Sequence, residues 1–172
     1  ASNNVAVGFE SLKSNTEGTN NVAVGKDALN DNTTASANTA IGTGTLSKTI
    51  TGANNTAVGF ASLLVNTASN NTAVGCAALI CNTTGTENTA VGKDALKLNV
   101  GAIQNTAVGT SALRDNTTGA CNTAVGFNSL VQSTTSSNNT AVGRETLFTN
   151  TTGGGNTAMG TCALYANISG EQ

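Results

Sequence analysis

The chain has 172 residues and a formal net charge of −2, with only 9% charged and 3% aromatic residues. Low charge argues against a solvated disordered coil, and scarce aromatic rings argue against a thick globular core. No cluster of Lys and Arg is present for binding nucleic acid, and no apolar run reaches the roughly 18 residues of a membrane span. A thin core of Ala, Val and Leu, as in a solenoid, fits this composition.

A five-residue phrase, Asn-Thr-Ala-Val-Gly, recurs along the whole chain and is seen in full at residues 88–92. Its glycine returns every 17 residues, except for one step of 16 between Gly59 and Gly75. Self-similarity at a fixed period is the sequence signature of a repeat architecture. We therefore predict one repeat domain over residues 1–172, with ten coils. The repeat glycines are Gly8, Gly25, Gly42, Gly59, Gly75, Gly92, Gly109, Gly126, Gly143 and Gly160.

The Thr-Ala-Val part of the phrase predicts one short strand per coil, because β-branched residues alternate there with Ala. Stacked strands would form a parallel β-solenoid or β-roll, all-β or β with short helical turns, and about 43 Å long at the usual strand spacing. We expect Val91 and Leu96 in the core, with Ala90 and Gly92 allowing close approach of the coils. The asparagine of the phrase is expected to form a structural ladder of hydrogen-bonded amides. Its members are Asn38, Asn55, Asn71, Asn88, Asn105, Asn122, Asn139 and Asn156.

The second half of each coil is restricted at the glycine and at three, four, seven and eight residues after it. This spacing is typical of one helix face. A full helix is about 10 Å wide, too wide for a coil spacing near 4.8 Å, so a single helical turn and a bent arc both remain open. The small residue ten positions after the glycine is expected to make a turn with positive φ. The predicted core leucines are Leu29, Leu46, Leu63, Leu79, Leu96, Leu113, Leu130 and Leu147.

Both faces of the predicted strand are restricted in composition, whereas a strand with one wet face normally alternates fixed and variable residues. We therefore expect a second surface to cover it, and self-association into a homo-oligomer is the economical choice. Neither end shows a capping segment, which predicts a piece of a longer fibre or ends that stack on neighbouring copies. The positions one, two, five and six residues after the glycine vary freely. They could form a shallow surface that binds surface glycans.

The unit Asn-Thr-Ala-Val-Gly-x-x-Ala-Leu-x-x-Asn-Thr-Thr-Gly resembles repeats of phage and bacterial tail-fibre proteins. The phrase is also similar to the head repeats of trimeric autotransporter adhesins, which form a parallel β-roll of three chains. The resemblance covers the whole chain. It implies a structural or adhesive segment, shaft or head, of an extracellular, cell-surface or virion fibre, with a trimer as one expected form.

Catalysis and metal binding have little support in the sequence. The chain has no histidine, so no Ser-His or Cys-His pair exists, and its carboxylates form no paired column. No spacing matches a zinc or calcium site, and no phosphate-binding loop is present, so we expect no cofactor and no enzyme. The four cysteines suit free thiols, although a bond between Cys76 and Cys81 stays open.

The strand threonines support an alternative function. A flat Thr-x-Val array on the outside of a solenoid could order water and bind ice, in which case this face is exposed. A fibre would instead bury it in the coil or between chains. The threonines are Thr39, Thr56, Thr72, Thr89, Thr106, Thr123, Thr140 and Thr157. Among the Asn-x-Ser/Thr sequons, Asn54 and Asn138 are the exposed candidates for glycosylation.

Overall fold

The computed structural model describes residues 1–170 and has one three-residue strand in every repeat. The ten strands form a single parallel sheet in chain order, and no helix occurs in this range, which confirms the predicted β-solenoid. Glu171 and Gln172, the last residues of the predicted domain, lie outside the described part. The strands are β1 (Val5–Val7), β2 (Val22–Val24), β3 (Thr39–Ile41), β4 (Thr56–Val58), β5 (Thr72–Val74), β6 (Thr89–Val91), β7 (Thr106–Val108), β8 (Thr123–Val125), β9 (Thr140–Val142) and β10 (Thr157–Met159).

The register of the sheet places equivalent residues of successive coils side by side. Even the 16-residue coil keeps this register, since Thr56 of β4 pairs with Thr72 of β5. Its missing residue is lost from the loop on the far side of the coil. There Asn66 Nδ2 donates to the carbonyl of Ala68, two residues on, where Asn82 reaches three residues on to Gly85. A deletion at this place leaves the strand ladder intact.

The segment from the repeat glycine to the leucine is a bent arc, so the helical alternative is wrong. In the sixth coil Asp94 and Leu96 have left-handed backbone angles, with φ of 56° and 49°. Their amides bond to adjacent coils, Asp94 N to the Cys76 carbonyl and Leu96 N to the Ala112 carbonyl, each at 3.0 Å. The restricted positions follow a helix-like spacing because Ala95, Leu96 and Asn99 all turn inward. The hydrogen bonds between coils are accompanied by turn bonds within the coil, but these do not continue into a helix.

The core is a narrow file of alanine and leucine. Ala90 and Leu96 are fully buried, and all eight predicted leucines have no exposed surface. Val91 is 36% exposed, so the prediction that it belongs to the core is wrong. Successive side chains of a strand point to opposite faces. Because the alanine and asparagine of the phrase face inward beside the leucine, the interior accommodates a methyl group from each strand and the valine points outward.

The repeat glycine is required by both backbone angle and contact distance. Gly92 has φ of 135°, and a Cβ added there would lie 2.5 Å from the carbonyl oxygen of Gly109 in the next coil. The small residue ten positions after the glycine does not use positive φ, contrary to prediction. Gly85 is small because its Cβ would meet Asn82 Oδ1 at 2.5 Å. Positive φ occurs instead just before the asparagine of the phrase, as at Glu87, with φ of 60°.

We predict that Gly92→Ala destabilises the fold by at least about 2 kcal/mol, because it adds backbone strain and a steric clash with the adjacent coil. Thermal unfolding followed by circular dichroism measures the effect. Gly44→Ala is the matched control. Gly44 also has positive φ (68°), but its added Cβ finds its nearest neighbour at 3.8 Å, and Ala61 occupies the equivalent position with φ of 53°. Equal losses of stability in the two variants would contradict the prediction.

Candidate functional site: asparagine ladders and the outer strand face

The asparagines of the phrase form the first asparagine file, defined as Asn4, Asn21, Asn38, Asn55, Asn71, Asn88, Asn105, Asn122, Asn139 and Asn156. Each of the eight predicted ladder members is at most 1% exposed. Asn139 Nδ2 donates to Asn122 Oδ1 at 3.1 Å and to the Gly153 carbonyl of its own coil at 3.0 Å. Its Oδ1 accepts from the backbone N of Asn156 at 2.9 Å. One side chain thus closes its own coil and joins it to both neighbours.

A second asparagine file runs parallel to the first, seven residues after each repeat glycine. In its unbroken part Asn82 Nδ2 donates to Asn66 Oδ1 at 2.7 Å, and Asn99 Nδ2 donates to Asn82 Oδ1 at 2.6 Å. Sequence reasoning found this position restricted but missed its role as a ladder, although its repeated asparagine was a signal. The second asparagine file consists of Asn15, Asn32, Asn66, Asn82, Asn99, Asn116, Asn150 and Asn167.

Two residues interrupt the second asparagine file, and each leaves an amide oxygen without a partner. Thr49 follows Asn32 in the file, and Ser133 follows Asn116. The Thr49 hydroxyl donates to the Asn66 carbonyl at 2.8 Å and so makes no bond to Asn32. Asn32 Oδ1 and Asn116 Oδ1 are the buried side-chain oxygens that lack a hydrogen bond in the described residues. Both orphaned oxygens are therefore explained by the loss of the next amide.

The outward residues of the ten strands form the Thr–Val face. The sequence-predicted threonines all lie on it, and their side chains are half-buried or exposed. On the same face Val74, Val91 and Val108 are each 36% exposed. The coil interior thus does not cover this face, which excludes burial within the coil as the reason for its constant composition.

The eight strand threonines are also distinguished by their unused hydroxyls. Among residues 1–170 none of these hydroxyls has an intramolecular hydrogen bond. Threonines on another side of the coil behave differently: Thr83 Oγ1 donates to the Val100 carbonyl at 3.1 Å, and Thr117 Oγ1 donates to the Thr134 carbonyl at 3.0 Å. The hydroxyls of the Thr–Val face are therefore free to bond to something outside the chain.

The variable positions form a shallow, charged surface on a different side of the rod. Lys97 Nζ lies 3.0 Å from Asp94 Oδ1, and Arg114 makes two hydrogen bonds of 2.7 Å to Asp115. The hydrogen bond to the Asp115 carboxylate raises the pKa of Arg114 above its ordinary value. These side chains line a groove of about 380 Å³, formed by Asp94, Lys97, Leu98, Ser111, Arg114 and Asp115.

The remaining predicted sites are dispersed. Asn54 and Asn138 are exposed, with left-handed φ of 58° and 62°, and Asn138 borders an open surface depression of about 670 Å³. All four cysteines are free, so the open question of a Cys76–Cys81 bond is answered against it in this structure. Residues 1–170 contain no group of three or more potential metal-binding side chains and no helix long and apolar enough to cross a membrane.

Comparison with known proteins adds no relative: no family model, no curated protein and no solved structure matches the chain.

The first asparagine file predicts that alanine substitutions at two neighbouring asparagines have different effects on the stability of the protein. Asn139→Ala should destabilise the protein by about 1–3 kcal/mol, because it leaves the buried backbone N–H of Asn156 without a partner, whereas the Gly153 carbonyl keeps its hydrogen bond from Asn150 Nδ2. Asn138→Ala is the control, since Asn138 is exposed and Ala37 occupies the same position with a similar φ of 58°. Urea unfolding measures both. Similar midpoints for the two variants would show that the amide ladder contributes little.

The interruptions of the second asparagine file predict a stabilising substitution. Thr49→Asn supplies an amide to the orphaned Asn32 Oδ1 and restores the pattern of the unbroken part, so we expect a gain of about 1 kcal/mol. The reverse change, Asn82→Thr, removes the donor to Asn66 Oδ1 and should lower stability. Thermal unfolding of the two variants distinguishes the outcomes: a lower melting temperature for Thr49→Asn would contradict the ladder explanation.

Proposed function

We propose that this chain is a rigid structural segment, shaft or head, of an extracellular, cell-surface or virion fibre that supports attachment to a host or surface. The observation that carries the proposal is the hydrogen bonding between coils around the whole coil perimeter. In the sixth coil the amides of Thr89, Gly92, Asp94, Leu96, Leu98 and Val100 all bond to adjacent coils. Two files of amide side chains reinforce these contacts.

Such bonding supports a spacer function, because bending the rod would stretch hydrogen bonds on one side. Substitutions at the outward positions of the coils can also change the surface of the rod without changing the length of the rod. The proposed role is non-enzymatic, in keeping with a sequence that has no histidine. The resemblance to tail-fibre and adhesin-head repeats favours the same assignment.

Attachment would fall to the variable surface under this proposal. The groove around Asp94 and Arg114 offers paired charges and a hydroxyl, which suit the hydroxyl groups of a surface glycan as hydrogen-bond partners. Self-association into a homo-oligomer stays a prediction, as does end-to-end stacking of copies.

Location and length test the fibre proposal. An antibody against this chain, visualised with gold particles in the electron microscope, should label extracellular filaments or virion fibres of the producing organism or virus. Duplicating residues 9–160, which contain nine coil steps, should lengthen the labelled fibre by about 43 Å at the usual strand spacing.

An insertion of equal length made of Gly and Ser is the control, because a flexible linker adds no fixed length. Labelling confined to the cell interior would overturn the proposal. A fibre whose length is unchanged by the duplication would do the same for the spacer role.

A further inference from the structure

We propose that the Thr–Val face binds ice, with its threonine hydroxyls bonding to ordered water and its methyl groups packing between these waters. This function is separate from the fibre role and rests on different residues. It can be measured on this chain alone, so its failure would leave the fibre proposal standing, and the reverse holds too.

The fold does not require threonine at the first strand position. Val5 and Val22 occupy the strand position that is threonine in the other eight coils, and β1 and β2 pair in the same register as the rest. The fold therefore accepts a residue of the same shape without a hydroxyl. The eight threonines keep hydroxyls that bond to nothing within residues 1–170. An external partner able to accept and donate hydrogen bonds accounts for this choice, and water is such a partner.

The Thr and Val side chains form a regular grid on this face. Each strand places a Thr and a Val about 6.7 Å apart, and the next strand repeats them about 4.8 Å away. In-register pairing, such as Thr89 with Thr106 and Val91 with Val108, carries this grid along all ten strands. Flat sheets of many strands are typically stabilised by specific side-chain ladders, and the asparagine files are such ladders. The result is a periodic array of hydroxyl and methyl groups, as a crystalline water layer requires.

The Thr–Val face carries no charge. No strand position on the Thr–Val face is charged in any of the ten coils, whereas the neighbouring variable positions carry the lysines, the arginines and most of the carboxylates. A neutral partner is thus the best match for this face. Charged groups would hold their own hydration shells and disturb an ordered layer.

The size of the Thr–Val face favours ice over a second copy of the chain as its partner. The face measures about 43 by 7 Å, or about 300 Å², at standard strand dimensions. A stable protein interface buries about 800 Å² on each partner, so this face alone is too small for one. Burying eight free hydroxyls against another chain without partners would also cost free energy. Neither limit applies to ice, because an ice surface extends beyond the face and supplies hydrogen-bond partners for the hydroxyls.

Thermal hysteresis and incorporation into a growing ice hemisphere test the proposal on the intact chain. The wild-type protein should delay ice growth and enter the ice. Thr106→Lys, in the middle of the face, should lose more than half of the thermal hysteresis, while the temperature at which the protein unfolds stays unchanged. Thr110→Lys is the matched control: Thr110 is exposed on another side, and Lys93 occupies the equivalent position, so activity should be retained.

A gentler variant removes only hydroxyls. Thr89→Val, Thr106→Val and Thr123→Val together reproduce the side chain found at Val5 and Val22, and they should reduce activity while the circular dichroism spectrum stays unchanged. A folded wild-type protein without thermal hysteresis at millimolar concentration would overturn the proposal, as would equal losses in the two lysine variants. Light scattering that finds an oligomer dissociated by Thr106→Lys would assign the face to a second copy instead.

Discussion

The stacking distance between coils is the constraint on which the rest of the structure depends. Backbone hydrogen bonds hold neighbouring strands about 4.8 Å apart, and here the arcs between the strands are bonded at the same step. Every inward residue must therefore fit beneath its equivalent in the next coil. Gly92 is required because even one Cβ would meet the backbone of the adjacent coil, and Ala90 is small for a related reason. The left-handed arc at Asp94 and Leu96 turns the chain without widening the coil.

Buried asparagine follows from the same constraint. A coil of 17 residues encloses little apolar volume, so alanine and leucine alone leave many backbone groups near the interior without partners. Asparagine has one acceptor and two donors on a short side chain, and Asn139 uses them to join its own coil to both neighbours. The interruption at Thr49 shows how strict this arrangement is, since one substitution orphans an amide oxygen in the coil before it. Stability is thus shared among amide hydrogen bonds as well as apolar contacts.

The stacking distance restricts the inward residues and leaves most outward positions free to vary in residue type. Variable positions such as Lys97 and Arg114 tolerate change because their side chains lie on the outer surface and each pairs with a nearby carboxylate rather than with the core. The Thr–Val face is the exception, an outer surface that stays constant although the fold does not use its hydroxyls. A constant outer face is thus more informative about external contacts than a constant inner one.

The repeat by itself determined the architecture. Period, strand position, the asparagine ladder at Asn88 and the leucine core at Leu96 all follow from patterns that each coil repeats, because a stacked fold imposes one environment on each position. The tertiary structure decided which strand face is inside. Val91 is apolar and was expected in the core, but pattern alone cannot tell two restricted faces apart. The strand face that carries the alanine and the asparagine lies against the leucine, so the valine points outward. Hydrogen-bond partners were likewise beyond the sequence, since a free hydroxyl at Thr106 and a used one at Thr117 differ only in what lies next to them in space.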